Sequence, residues 1–184
     1  MECLSLTTLK PFLSVVKRLR EICGGHCCMI KRLLFLFISI IYTTSYATAS
    51  CENNKLTIFN AMSKHEFYVE IADDPTKRAN GLMFKQSLSD FDGMVFLYDK
   101  PSRLVFWMKN TLIPLDIIFF DETGIIKKIY VDATPLSQKK IFGGSNLIGA
   151  LEINGNLASK LGFSEGDSIQ FNRLNSKNTV WPCY

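Results

Sequence analysis

The chain has 184 residues, is 47% hydrophobic, 12% aromatic and 21% charged, and carries a formal net charge of +4. That mixture is globular and excludes a disordered or fibrous chain, and the length, less an N-terminal leader, suits one domain. Six of the 21 basic and two of the 17 acidic residues precede Ser50, which leaves 15 of each and no net charge beyond it; such a neutral stretch lacks the electrostatic footprint of a nucleic-acid binder.

The first element in chain order is a leader over residues 1–49. Lys31 and Arg32 precede the apolar run Leu33 to Tyr42, and Ala47-Thr48-Ala49 follows. A basic segment, an apolar segment and a small-x-small motif in that order form a secretory signal peptide cleaved before Ser50. The run is shorter than the ~20 residues of a comfortable membrane span. The expected location is therefore periplasmic or secreted. The alternatives are a membrane anchor, through an uncleaved leader or through a lipidated Cys51. Thr48 stands where lipoprotein signals usually have Leu, which counts against lipidation. Residues 1–28 fit poorly before such a signal, and Met29 is the expected translation start. With the leader gone only Cys51 and Cys183 remain, an even pair that reads as a disulfide in an oxidising compartment.

From Asn54 to Leu174 the pattern is one β-rich domain, with a polar C-terminal tail over 175–184. Lys55 to Phe59 and Phe67 to Ile71 read as short strands. Asp74 as N-cap and Pro75 at the first helical position open a helix that runs to about Asn80 and stops at Gly81. Met94 to Tyr98 and Leu104 to Met108 read as two further strands, the second buried on both faces. Asn110 to Pro114 is a loop. Ile117 to Phe120, the turn Asp121 to Gly124, and Ile125 to Val131 form a hairpin. Ala133 to Ser145, with Pro135, Gly143 and Gly144, reads as loop. Ala150 to Ile153 is a strand, Asn156 to Leu161 a short helix ended by Gly162, and Ser168 to Leu174 a last strand. The fold class is β-rich α+β: a small curled sheet or barrel with two short helices.

Four blocks carry a resemblance: VEIADDPTKRANGLMFKQSL, GMVFLY, FWMKNTLIPLDIIFFDETGII and ALEINGNLASKLGFSEGDSI, spanning about Val69 to Ile169. Together they resemble the domain of unknown function 192 family, in which FWMKNT-x-IPLD is a very specific string. The resemblance implies a compact β-rich domain, often behind an export signal, and brings no catalytic residues with it. Where such proteins read L-E-x-x-A-G, this chain has Leu151 to Asn156, with its glycine one place early and Asn156 in the glycine position. Asn tolerates a positive φ better than most residues.

Arg78, Lys109, Asn110, Asp116 and Glu152 lie in these blocks among apolar neighbours, where charges need partners. One reading is a structural network in which Asp116 is buried and paired with Lys109 or Arg78. The other is a polar pocket, with Asp116 or Glu152 as acid–base group and Lys109 or Arg78 holding an anion. Met83, Met94 and Met108 with Trp107 suggest a soft Cu(I) site, against core packing as the plainer account. There is no Ser-His-Asp or Cys-His set and no Gly-rich phosphate loop. The sequence therefore favours a non-enzymatic binding or accessory module of the cell envelope, without cofactor, whose partner is a small molecule or an envelope protein. An enzyme on a small envelope substrate using Asp116, Lys109 and Glu152, and a Cu(I) carrier, are the alternatives.

Overall fold

The computed structural model describes residues 52–174 and 179–182. Residues 1–49, where a leader is expected, and Cys51 and Cys183 lie outside the described residues. Seven strands, β1 (Lys55–Phe59), β2 (Lys64–Ala72), β3 (Asp92–Phe106), β4 (Leu115–Phe120), β5 (Ile126–Ala133), β6 (Ile141–Asn154) and β7 (Ser168–Gln170), accompany two short helices, α1 (Pro75–Asn80) and α2 (Leu157–Lys160). The strands form one curled half-barrel sheet in the order β5-β4-β6-β3-β2-β1-β7. Neighbours are antiparallel except β2 and β3, which run parallel and are joined through α1. The two edges meet at one end, where Ile125 bridges Ser168 and the Ile169 amide donates to Gly124 O at 2.7 Å.

Strand alternation sorts the apolar residues into two cores. Leu56, Phe67, Val95, Ile118, Ile126, Leu151 and Ile169 come from all seven strands and fill the concave face. Met94, Phe96, Ile117, Phe119 and Ala150 point the other way, into a second core completed by Leu82 and Met108 from outside the sheet. β4 passes between the two cores, so all six of its residues are buried. Full burial of each phenylalanine, such as Phe67, Phe119 or Phe120, contributes about 1.5–3 kcal/mol.

Three expectations change. The residues Leu104 to Met108 are not buried on both faces; Val105 and Trp107 are exposed. Leu104 to Phe106 end a single long β3 whose middle, around Pro101, is accommodated by register shifts against β6, and Trp107 and Met108 follow it. The expected loop before Ser145 is partly strand, because β6 starts at Ile141. Gly143 fits there because the Phe119 ring lies across it; a Cβ would fall 2.4 Å from that ring. The last strand covers only Ser168–Gln170. In the tail, Trp181 stacks on Phe59 at 4.8 Å and its Nε1 donates to Ser168 Oγ at 2.9 Å. These contacts hold it against β1 and β7.

Candidate functional site

Asp116 is fully buried, but its partner is not a cation. Oδ1 accepts from the backbone amides of Asp132 and Asn156, both at 2.8 Å, and Oδ2 from the amide of Ala158 at 2.7 Å. The expected pairing with Lys109 or Arg78 is thus replaced by three main-chain donors. Two of them belong to the start of α2, whose first amides have no intrahelical acceptor. Asn156 adopts the left-handed conformation at φ 64° and gives α2 no side-chain cap, so Asp116 caps it from β4. Gly155 allows this approach: a Cβ there would lie 2.9 Å from Pro114 Cβ, while its amide donates to Pro114 O. Asp116 therefore ties together β4, β5 and α2.

Glu152 sits elsewhere. On β6 it pairs with Met94 of β3 and Ile117 of β4, and alternation turns it toward the second core beside Ala150. Only 5% of it is exposed, and it makes no hydrogen bond or ion pair among the described residues. Loss of hydration pushes its carboxyl up to about 8.

The Glu152 carboxyl lines a cleft of about 80 Å³ between α1, β3 and the β3–β4 loop. Arg78, from α1, is one wall. Its Nη1 donates to Asp73 O at 2.8 Å and Leu97 O at 2.9 Å, and its guanidinium lies 4.7 Å from the Tyr98 ring centroid. Tyr98 is itself pushed up by burial, an effect that Arg78 opposes and Glu152 reinforces. At the mouth, the Lys109 ammonium stands 5.5 Å from the ring centroid of Trp107, which is 49% exposed. Neither cation has a carboxylate partner among the described residues.

Asn110 is outside the lining but shapes it. It has φ 57° and its Nδ2 contacts Met83 Sδ at 3.8 Å. Phe84 and Leu136, at φ 63° and 61°, share this unfavourable region. The Phe84 amide donates to Asn110 O at 2.9 Å and the Leu136 amide to Thr111 O at 3.0 Å. A bulky residue held left-handed costs about 1–2 kcal/mol, and such strain concentrates at functional sites. The structure thus brings Arg78, Lys109 and Glu152 to one cleft, with Asn110 behind it and Asp116 apart. The four soft-metal candidates divide: Met83 and Trp107 line the cleft, whereas Met94 and Met108 are packed in the second core. Among the described residues no group of His, Cys, Asp and Glu could hold a metal. Tyr98 was missed from sequence, although the alternation Met94, Phe96, Tyr98 places it on the face of Glu152.

A family model described as DUF192, uncharacterized ACR, matches residues 57–171. The chain belongs to the DUF192 family. No curated protein matches it. Among solved structures, this DUF192 chain is similar to a protein of unknown function from Novosphingobium aromaticivorans, at 37% identity and TM-score 0.62, over 64% of this chain and 84% of that one. It is also similar to a Sinorhizobium meliloti protein proposed to be a transcription regulator, at 32% identity and TM-score 0.63, over 66% of this chain and 95% of that one. The DUF192 match contains α1, β3, the β3–β4 loop and Glu152, so the whole cleft lies inside the family domain.

Proposed function

We propose that this DUF192 protein is an exported, non-enzymatic binding module of the cell envelope that holds a small molecule in the Glu152 cleft. The observation that carries the reading is a buried carboxyl without a protein partner, opening into a cleft whose mouth has aromatic and cationic walls. Buried polar groups in proteins as a rule find partners, and the convergence of a few placed polar groups on a concave site is the ordinary character of a ligand site. The signal-like order of residues 29–49 supports export. An enzyme with Glu152 as acid–base group and Lys109 as anion binder is the second reading, favoured by a carboxyl whose proton affinity is near neutrality.

Native purification from the envelope fraction, followed by mass spectrometry of released small molecules, tests the site. Ala79 lies exposed on α1 at the cleft. Ala79→Trp should block the mouth, fold normally, and lose the small molecule that accompanies the unsubstituted protein. Identical profiles would end the binding reading. Chemical conversion of that molecule by the purified protein would select the enzyme instead.

The same preparation tests export. The mature chain is expected to begin at Ser50, and non-reducing peptide mapping to yield a Cys51–Cys183 cross-linked peptide. Next to these cysteines, Asn53 meets Asn172 at 2.9 Å and Pro182 O accepts from Gln170 Nε2 at 3.4 Å, so both flanking segments run beside the β7 end of the sheet. Recovery of peptides from Leu33 to Tyr42 would remove cleavage, and full alkylation of both thiols without reduction would remove the disulfide.

A further inference from the structure

We infer that the cleft takes a small monocarboxylate with an apolar body, bound between the Lys109 ammonium, the free edge of the Arg78 guanidinium and the Glu152 carboxylic acid. The inference rests on the binding reading above and names its ligand class.

Charge and donor supply lead to it. Lys109 and Arg78 bring two positive charges to the cleft, and among the described residues no carboxylate pairs with either. Among the described residues Arg78 is engaged through Nη1 alone, so the remaining N–H groups of its fork can take a ligand. Glu152 is held among apolar side chains, where the neutral acid is the favoured form, and a neutral acid has one O–H to donate. Lys109 and Arg78 can only donate and the neutral acid has an O–H to give, so together they favour a ligand rich in acceptors. A cationic ligand would meet two like charges. The residues lining the cleft form no glycine-rich loop to cradle a phosphate dianion, and the cleft is small. A carboxylate supplies two acceptor oxygens and one charge. The walls from Met83, Phe96, Phe106 and Trp107 then cover a short apolar body.

Protonation of Glu152 is part of this recognition. The titratable groups that share the cleft with it are Arg78 from α1, Tyr98 from β3 and Lys109 from the β3–β4 loop, and burial alone raises its carboxyl. As pH rises through the Glu152 transition, the acid ionises and turns from donor into a second anion facing the ligand. Apparent affinity is reduced by the competent fraction, so it should fall about tenfold between pH 7 and 9.

The test is titration of the intact protein with butyrate, butylammonium and propyl phosphate, followed by NMR of the cleft residues. Butyrate should bind at pH 7, and the ammonium should not. Propyl phosphate should bind at least tenfold more weakly than butyrate. Lys109→Ala should weaken butyrate by about tenfold or more, the usual effect of a charge-assisted hydrogen bond. Glu152→Gln keeps a donor and should bind butyrate with no loss between pH 7 and 9, which a merely structural role for Glu152 would not produce. Preference for the ammonium or the phosphate at the cleft overturns the ligand class and leaves the binding reading standing. Butyrate affinity indifferent to Lys109→Ala and to pH also overturns it. Absence of binding by all three, together with identical small-molecule profiles for the Ala79→Trp pair, sinks both.

Discussion

Asp116→Ala is expected to lower stability by about 3–5 kcal/mol, because it leaves the amides of Asp132, Asn156 and Ala158 without an acceptor in a site fully closed to water. Each orphaned donor costs roughly 1–3 kcal/mol, and relaxation around the small side chain recovers part of the sum. Against a total stability of about 5–15 kcal/mol, that loss is large and should lower the melting temperature by ~10–20 °C. Asp116→Asn keeps one oxygen acceptor and should lose less. The effect is local in origin, so amide exchange at Asn156 and Ala158 should accelerate ahead of exchange in β1 or β2. Lys109→Ala and Arg78→Ala should not reproduce the loss, since neither side chain touches Asp116. An Asp116→Ala protein that melts with the unsubstituted one would refute the cap.

The way Asp116 escaped its sequence reading shows where local information stops. A carboxylate inside the run IPLDIIFF announces burial, and burial demands a partner. The partner cannot be read, because it is main chain from β5 and from a helix forty residues later. Signals carried by one short stretch fared better. Asp74, Pro75 and Gly81 bound α1 as expected, since capping chemistry lies within a single turn. β1 matched Lys55 to Phe59 residue for residue. Gly143 misled because glycine in a strand looks like a turn until the ring that covers it is known. Likewise Val105 and Trp107 looked like core, and are exposed because α1 and the β3–β4 loop leave the cleft open there.

Glu152 was legible as an acid in an apolar strand. Its place in a cleft was not, because the surroundings of one face of β6 are decided by elements that come from other parts of the chain. The cleft also shows why a charge count misleads. The three candidate residues that line it are cationic or acidic, yet at neutral pH the acid is mostly uncharged, so the cleft as a whole is positive while the chain from Ser50 onward is neutral.

Glu152→Gln should stabilise the protein, and by an amount that grows with pH. The folded carboxyl titrates at about 8 against an ordinary 4.5, so between those values the native state holds a proton that the unfolded chain has released. Stability therefore falls as pH rises across that window, and above it the folded protein must carry a buried, unpaired carboxylate. The difference corresponds to roughly 4–5 kcal/mol as an upper bound, with water entering the cleft reducing it. Glutamine has nearly the same shape and no charge to lose. The two proteins should melt together at pH 5 and separate progressively to pH 9, with the glutamine form the more stable. The other shifted groups act outside this range. Glu66, Asp73, Asp74 and Asp121 are held below the usual carboxylate value by lysines and hydrogen bonds, so their contribution is lost only in acid. Lys55 and Lys77 are raised by their carboxylate partners, and theirs is lost only in strong base. Urea denaturation at four pH values between 5 and 9 isolates the Glu152 effect. Parallel curves for the two proteins across that range would mean that Glu152 is ionised and hydrated in the fold, and the donor role assigned to it in the cleft would fall with the stability prediction.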